Sequence, residues 1–84
     1  MNLKTIHHIA IIVSDYERSK DFYVNKLGFG IIRENYREDR NDYKLDLKLR
    51  GCELELFSVN NTPKRLNYPE ACGLRHLAII LKKL

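Results

Sequence analysis

Three side chains in this sequence, His8, Glu55 and His76, have types suited to holding a metal ion. Two imidazoles and a carboxylate match the donor preferences of a divalent ion such as Zn²⁺, Ni²⁺, Mn²⁺ or Fe²⁺. The sequence has no short ligand motif such as H-E-x-x-H, so the case depends on the elements that carry these residues and the faces they present.

His8 and His76 sit in an internal repeat. Ile6-His7-His8-Ile9-Ala10-Ile11-Ile12 recurs 68 positions later as Leu74-Arg75-His76-Leu77-Ala78-Ile79-Ile80. Four positions are identical, two are aliphatic exchanges and one is a cationic exchange. Continuous aliphatic and β-branched residues make both copies strands. Side chains alternate between faces, so Ile9, Ile11 and Val13 share one face while His8, Ala10 and Ile12 share the other. In the second copy Leu77, Ile79 and Leu81 oppose His76, Ala78 and Ile80. A lone strand histidine is ordinarily a core or edge residue, but recurrence in one register puts the ligand reading on an equal footing. His7, of opposite parity, reads as structural.

Glu55 follows from the same alternation. Leu54 and Leu56 pack beneath a helix, which turns Glu53, Glu55 and Phe57 to the opposite face. Two readings stand: a water-exposed edge, or a concave face shared with His8 and His76.

Between the copies, Ser14-Asp15-Tyr16-Glu17 reads as a capping box that starts a helix at Ser14. Tyr16, Ser19, Phe22, Tyr23 and Leu27 form its core-facing stripe, and Gly28 ends it. Strands are expected at about 29–37, 43–50 and 52–59, the last two joined by a tight turn at Gly51. A loop with Pro63 and Pro69 precedes the repeat strand. The fold class is α+β, a βαβββ module over residues 1–60, an inter-module loop over 61–73 and the first strand of an incomplete second module over 74–84.

At 84 residues and 44% hydrophobic, the chain is at most one domain with a core that is marginal alone. A homodimer is expected. The longest aliphatic run, Ile9 to Val13, is too short for a bilayer, and with no signal peptide the expectation is a soluble cytoplasmic protein with no membrane partner. Cys52 and Cys72 form no C-x-x-C motif and read as reduced thiols. The net charge of +4 comes with no nucleic-acid-binding signature. Lys44, Lys48 and Arg50, alternating with Leu45, Leu47 and Leu49 and interrupted by Asp46, read as a solvated face. No nucleic-acid partner is expected, and small anionic substrates are compatible with the charge.

The run His8-Ile9-Ala10-Ile11-Ile12-Val13-Ser14-Asp15, with Arg18-Ser19, Asp21-Phe22-Tyr23 and Leu27-Gly28-Phe29, resembles the first strand, helix and turn of the vicinal oxygen chelate superfamily. That superfamily includes glyoxalase I, the bleomycin and fosfomycin resistance proteins and extradiol dioxygenases. Leu54-Glu55-Leu56 is similar to its ligand-bearing fourth strand, and Gly73-Leu74-Arg75-His76-Leu77-Ala78 to the start of its second module. The resemblance implies metal ligands at His8, Glu55 and His76, with a fourth ligand beyond this chain, so the chain is expected to be truncated after its first module. Glutamate at position 55 is similar to glyoxalase I and implies a lyase or isomerase acting on a small-molecule substrate with adjacent oxygens, Glu55 serving as base. Arg37, Arg75 and Phe57 become candidate substrate contacts. The arginine and asparagine with which glyoxalase I holds glutathione fall at Ile12 and Val59, so glutathione is not expected as cosubstrate. The segments Tyr36-Arg37-Glu38 and Pro69-Glu70-Ala71-Cys72-Gly73 look like a group of small bacterial glyoxalase-like proteins. The alternatives are a non-catalytic antibiotic-binding protein of the same fold and an inactive remnant.

Overall fold

In the computed structural model, which describes residues 1–80, the elements run β1 (His8–Val13), α1 (Tyr16–Lys20, continuing as Asp21–Lys26), β2 (Gly30–Arg37), β3 (Asp42–Leu49) and β4 (Cys52–Ser58). They form one four-stranded sheet in the order β1-β4-β3-β2. The hairpins make β2-β3 and β3-β4 antiparallel, while the helical crossover brings β1 parallel to β4. A parallel pair needs such a long connection, whereas hairpins close on short turns. The α+β class and the βαβββ module are as expected.

The helix begins one residue later than the capping box implied. Asp15, not Ser14, is the cap, with extended φ −134° and a carboxylate that accepts from the Arg18 amide at 3.1 Å. Aspartate satisfies an unpaired first-turn amide as well as serine does. The second half of the helix is wound more widely: the Leu27 amide bonds the Phe22 carbonyl, five residues back, at 2.9 Å. This changes the helical phase. Phe22 is exposed in place of its expected burial, and Val24 joins Tyr23 and Leu27 against the core. Gly28 ends the helix at φ +80°, and the Phe29 amide closes back on the Tyr23 carbonyl at 2.9 Å. A left-handed glycine just past the last turn is a common helix terminator, and here the closing bond reaches six residues back because the last turn is wide.

The core lies between helix and sheet. Tyr16, Phe29, Leu45, Leu47, Leu54 and Leu56 are buried there, and Ile9, Ile11 and Val13 pack around them. The apolar parity of β1 and β4 is therefore as the alternation predicted. Tyr43 stacks on Tyr16 with centroids 4.4 Å apart, and Tyr36 meets Tyr43 at 4.9 Å. Beside this aromatic row Glu34 accepts from the Tyr16 hydroxyl and from Lys20 Nζ at 2.9 Å. Burial and then the Glu34 hydrogen bond push the Tyr16 phenol above its usual value, while the Tyr16 and Lys20 hydrogen bonds hold the Glu34 carboxyl down.

Strand β2 contains an irregularity that determines which side chains reach the other face. Ile31 pairs with Leu47, yet Arg33, not Ile32, pairs with Asp46. One extra residue in a strand reverses the parity of everything after it. Arg33, Asn35 and Arg37 consequently share the face opposite the helix, and Glu34 and Tyr36 turn toward the helix.

The repeat segment behaves differently. Residues 74–80 form no strand, and Leu77 to Ile80 instead line a cleft of about 430 Å³ with Ile9, Phe29 and Leu54. The physical reason lies in the first copy, whose strand is held by parallel pairing to β4. Among the described residues no strand pairs with the second copy, and an extended segment without a ladder leaves its backbone groups to solvent. Residues 81–84, part of the expected strand, lie outside the described residues.

Candidate functional site

The sheet face opposite the helix carries His8, Ala10 and Ile12 from β1, Glu53, Glu55 and Phe57 from β4, Asp42, Lys44, Asp46 and Lys48 from β3, and Arg33, Asn35 and Arg37 from β2. This distribution follows from the pairing registers and the β2 bulge. Ala10 is the parallel partner of Glu55. Its short side chain leaves room for the His8 ring to reach diagonally, so that His8 Nε2 stands 3.7 Å from Glu55 Oε2. Of the expected ligands, the structure brings together His8 and Glu55.

This pair fits a shared ion. An ion bonded at about 2.1 Å to each of two donors 3.7 Å apart subtends an angle of about 120° between them, within reach of tetrahedral or trigonal coordination. The Glu55 side chain is only 14% exposed, against 45% for His8. The His7 and His8 rings meet edge to face with their Nδ1 atoms 2.9 Å apart. One of these nitrogens carries the shared proton, and with it on His8 the Nε2 lone pair is left facing Glu55. His7, assigned a structural part by parity, thus contacts the site through its ring. Adjacent histidines straddling the first strand residue were the available sequence signal.

His76 lies elsewhere. With Arg75 it lines a groove that also includes Arg65, Tyr68 and Glu70, where Arg75 Nε pairs with Glu70 Oε1 at 3.1 Å. Among the described residues no three His, Cys, Asp or Glu side chains converge closely enough to hold an ion. The described residues thus bring two of the three expected donors, His8 and Glu55, close together.

A line of alternating charge crosses the same face from β2 to β1. Arg33 Nη1 donates to Asp46 Oδ2 at 2.8 Å, Lys44 Nζ stands 3.5 Å from Asp46 Oδ1 and 3.7 Å from Glu55 Oε1, and Glu55 meets His8. Asp46 is fully buried, and its Oδ1 has no hydrogen-bond partner among the described residues. The solvated-face reading therefore holds for Lys48 and Arg50, which are exposed, but not for Lys44, which is half-buried between two carboxylates. Along β3 this parity runs from buried Asp42 and Asp46 to exposed Lys48, so only its middle is withdrawn from water.

Phe57 lies on the same face, beside Ile12 of β1 and Lys44 of β3. The Arg37 guanidinium lies 5.1 Å and Lys44 Nζ 5.6 Å from its ring centroid, distances at which cation–π attraction operates. Arg37 also donates twice to the buried Asp42, at 2.6 and 2.7 Å. That hydrogen-bonded pairing holds the Asp42 carboxyl below the usual range and pushes the guanidinium up. Arg37 and Phe57 are therefore on the same face as His8 and Glu55, while Arg75 is not.

Cys52 and Cys72 are free thiols, as expected. No helix among the described residues is long and apolar enough to cross a membrane.

Comparison with known proteins agrees with this architecture. YwkD of Bacillus subtilis (strain 168), an uncharacterized protein, is 61% identical over 85 residues, covering all of this chain and 66% of its own length. The crystal structure of the glyoxalase family protein from Enterococcus faecalis superposes with a TM-score of 0.80 at 56% identity, over 89% of this chain and 60% of that one. TnmS3, an antibiotic binding protein from Streptomyces sp. CB03234, superposes at 0.51 with 27% identity, over 75% of this chain and 50% of its own. The chain thus spans about two thirds or less of the length of these relatives. The Glyoxalase/Bleomycin resistance protein/Dioxygenase superfamily model matches residues 5–83, and with the four-stranded βαβββ sheet this establishes that the chain belongs to that superfamily.

Proposed function

We propose that this chain is the metal-binding module of a glyoxalase-like lyase or isomerase acting on a small substrate with adjacent oxygens. The observation that carries the proposal is the His8–Glu55 pair at 3.7 Å on the sheet face opposite the helix. A divalent ion held there, Zn²⁺, Ni²⁺, Mn²⁺ or Fe²⁺, supplies Lewis-acid stabilisation of negative charge developing on the substrate oxygens. His8 offers Nε2, and its Nδ1 contact with His7 orients the ring. Glu55 takes the carbon-bound proton onto a carboxylate oxygen, and its partial burial keeps water from competing for that oxygen. Phe57 flanks the substrate, with Arg37 as an anion contact; Arg75, paired with Glu70 in a separate groove, takes no part.

Two donors are too few for a closed site, and two ways of completing it are open. In a symmetric dimer, His8 and Glu55 of a second copy face the first pair across a twofold axis, giving two histidines and two glutamates around one ion. Alternatively, the complement is His76 with a carboxylate of a second module. We favour the dimer, because the exposed edge strand β1 carries His8 and its own parallel neighbour carries Glu55.

Metal titration with quantitation per chain tests both the proposal and its variants. Substituting His8 or Glu55 with alanine is expected to weaken binding about 10-fold or more, as each supplies a direct bond. Binding unchanged in both variants refutes the site. One ion per two chains, indifferent to His76→Ala, supports the dimer, and one ion per chain lost in that variant supports the second arrangement.

The similarity to TnmS3 favours a second reading, a non-catalytic protein that binds an antibiotic-like molecule over Phe57. Ligand binding that persists after His8→Ala and Glu55→Ala, without turnover, distinguishes it.

A further inference from the structure

We infer that Lys44 is an internal counterion that competes with a divalent cation for Glu55, and that buried Asp46 is the site to which its ammonium retreats when the cation binds. The inference rests on the metal reading above and extends it to residues that the family pattern does not include. Lys44 Nζ stands 3.7 Å from Glu55 Oε1, on the carboxylate oxygen opposite the one that faces His8. An ammonium this close to a 14%-exposed carboxylate neutralises it in the metal-free protein. A divalent cation on the same carboxylate would meet that ammonium within a few ångströms, so the two charges cannot both occupy Glu55 without strong repulsion.

The orphaned oxygen of Asp46 accounts for where the ammonium goes. Asp46 Oδ2 is held by Arg33 at 2.8 Å, but the fully buried Oδ1 has no hydrogen bond among the described residues, and Lys44 Nζ stands off at 3.5 Å. A buried carboxylate oxygen without a donor is costly. The lysine is thus shared between two carboxylates and satisfies neither at hydrogen-bond distance. When Glu55 turns to a cation, a shift of well under 1 Å, about the difference between 3.5 Å and an ordinary 2.8 Å contact, closes Lys44 onto Asp46 Oδ1. Lys44 Nζ also lies over the Phe57 ring, 5.6 Å from its centroid. Lys44 is a positioning residue in this account; it sets the cation affinity of Glu55 without ligating.

The test uses Co²⁺ alone as an absorbing probe, titrated into the full chain. Lys44→Met, which keeps the apolar stem and removes the charge, is expected to tighten Co²⁺ binding about tenfold. Asp46→Asn is expected to weaken it, because Lys44 then has no second carboxylate to retreat to. In the double variant the Asp46→Asn effect is expected to vanish, since the competing ammonium is gone. A purely structural role for Asp46 predicts the same weakening with or without Lys44. Binding that depends on His8 and Glu55 but is unchanged or weakened by Lys44→Met overturns the competition while leaving the metal site intact. If the unmodified chain takes up no Co²⁺, both the metal reading and the competition fall. Should Asp46→Asn not fold, the direction of the Lys44→Met effect alone decides.

Discussion

Replacing Arg33 with methionine removes a guanidinium while keeping most of its aliphatic stem, and it isolates what the charges on the sheet face opposite the helix do for folding. Arg33 donates to Asp46 Oδ2 at 2.8 Å, and Asp46 is fully buried while the arginine is 58% exposed. Breaking a buried ion pair from one side costs about 3–5 kcal/mol when both partners are desolvated. Here solvent screens the arginine, and Lys44 at 3.5 Å supplies part of the compensation. The expected loss is therefore nearer that of one hydrogen bond to a charged group, about 1.5–3 kcal/mol. A chain of 84 residues has roughly 4–13 kcal/mol of stability by the usual per-residue range, so this loss is large enough to measure. Urea denaturation followed by circular dichroism is the assay, with the midpoint falling at unchanged slope. Lys48→Met, an exposed cation on the same face in neighbouring β3, is the control and should stay within about 0.5 kcal/mol. If Arg33→Met is indistinguishable from Lys48→Met, the buried Asp46 does not need its partner and the reasoning about this face fails.

Gly28→Ala is expected to destabilise by about 1–2 kcal/mol because alanine resists the left-handed conformation, while Gly30→Ala, at ordinary φ with its nearest neighbour 4.0 Å away, is expected to be near neutral; thermal melts of the two variants compare them. The Tyr16 and Lys20 hydrogen bonds lower the Glu34 carboxyl, so its contribution to stability is present at neutral pH and above the ordinary glutamate value of about 4.3. It is lost as pH falls through that value to the lower folded one, and Glu34→Gln should flatten the acid limb of a stability-versus-pH curve. On the proposed function, the glutathione adduct of methylglyoxal is expected to be a poor substrate. Ile12 and Val59 leave a tripeptide carboxylate without a charged partner, at a cost of roughly 2–5 kcal/mol in transition-state binding. Efficient turnover in a standard glyoxalase assay contradicts this.

Periodicity alone made much of the module legible. The alternation Leu54-Glu55-Leu56-Phe57 set which residues face the helix, because a strand with one buried face tolerates no slip in parity. His8 and Glu55 on one face follow from that rule applied twice. The family resemblance added their pairing as ligands, and the structure brings them to 3.7 Å. The start of the helix was misread by one residue because Ser14 and Asp15 offer equivalent capping oxygens, and only the chain's path selects between them. The bulge at Ile32 was not visible, since nothing local distinguishes an extra residue in an aliphatic run; it is decided by pairing with β3. From it follow the turn of Arg33 toward Asp46, the turn of Glu34 toward Tyr16, and the charge line ending at Glu55. The repeat shows the opposite limit. Residues 74–80 carry nearly the same sequence as β1, yet only the first copy has β4 beside it and becomes a strand. Apolar alternation, which is local, was determined by the sequence itself. Strand formation and the completion of a site need hydrogen-bonding and charge partners distant in the chain, and those only the tertiary structure decided.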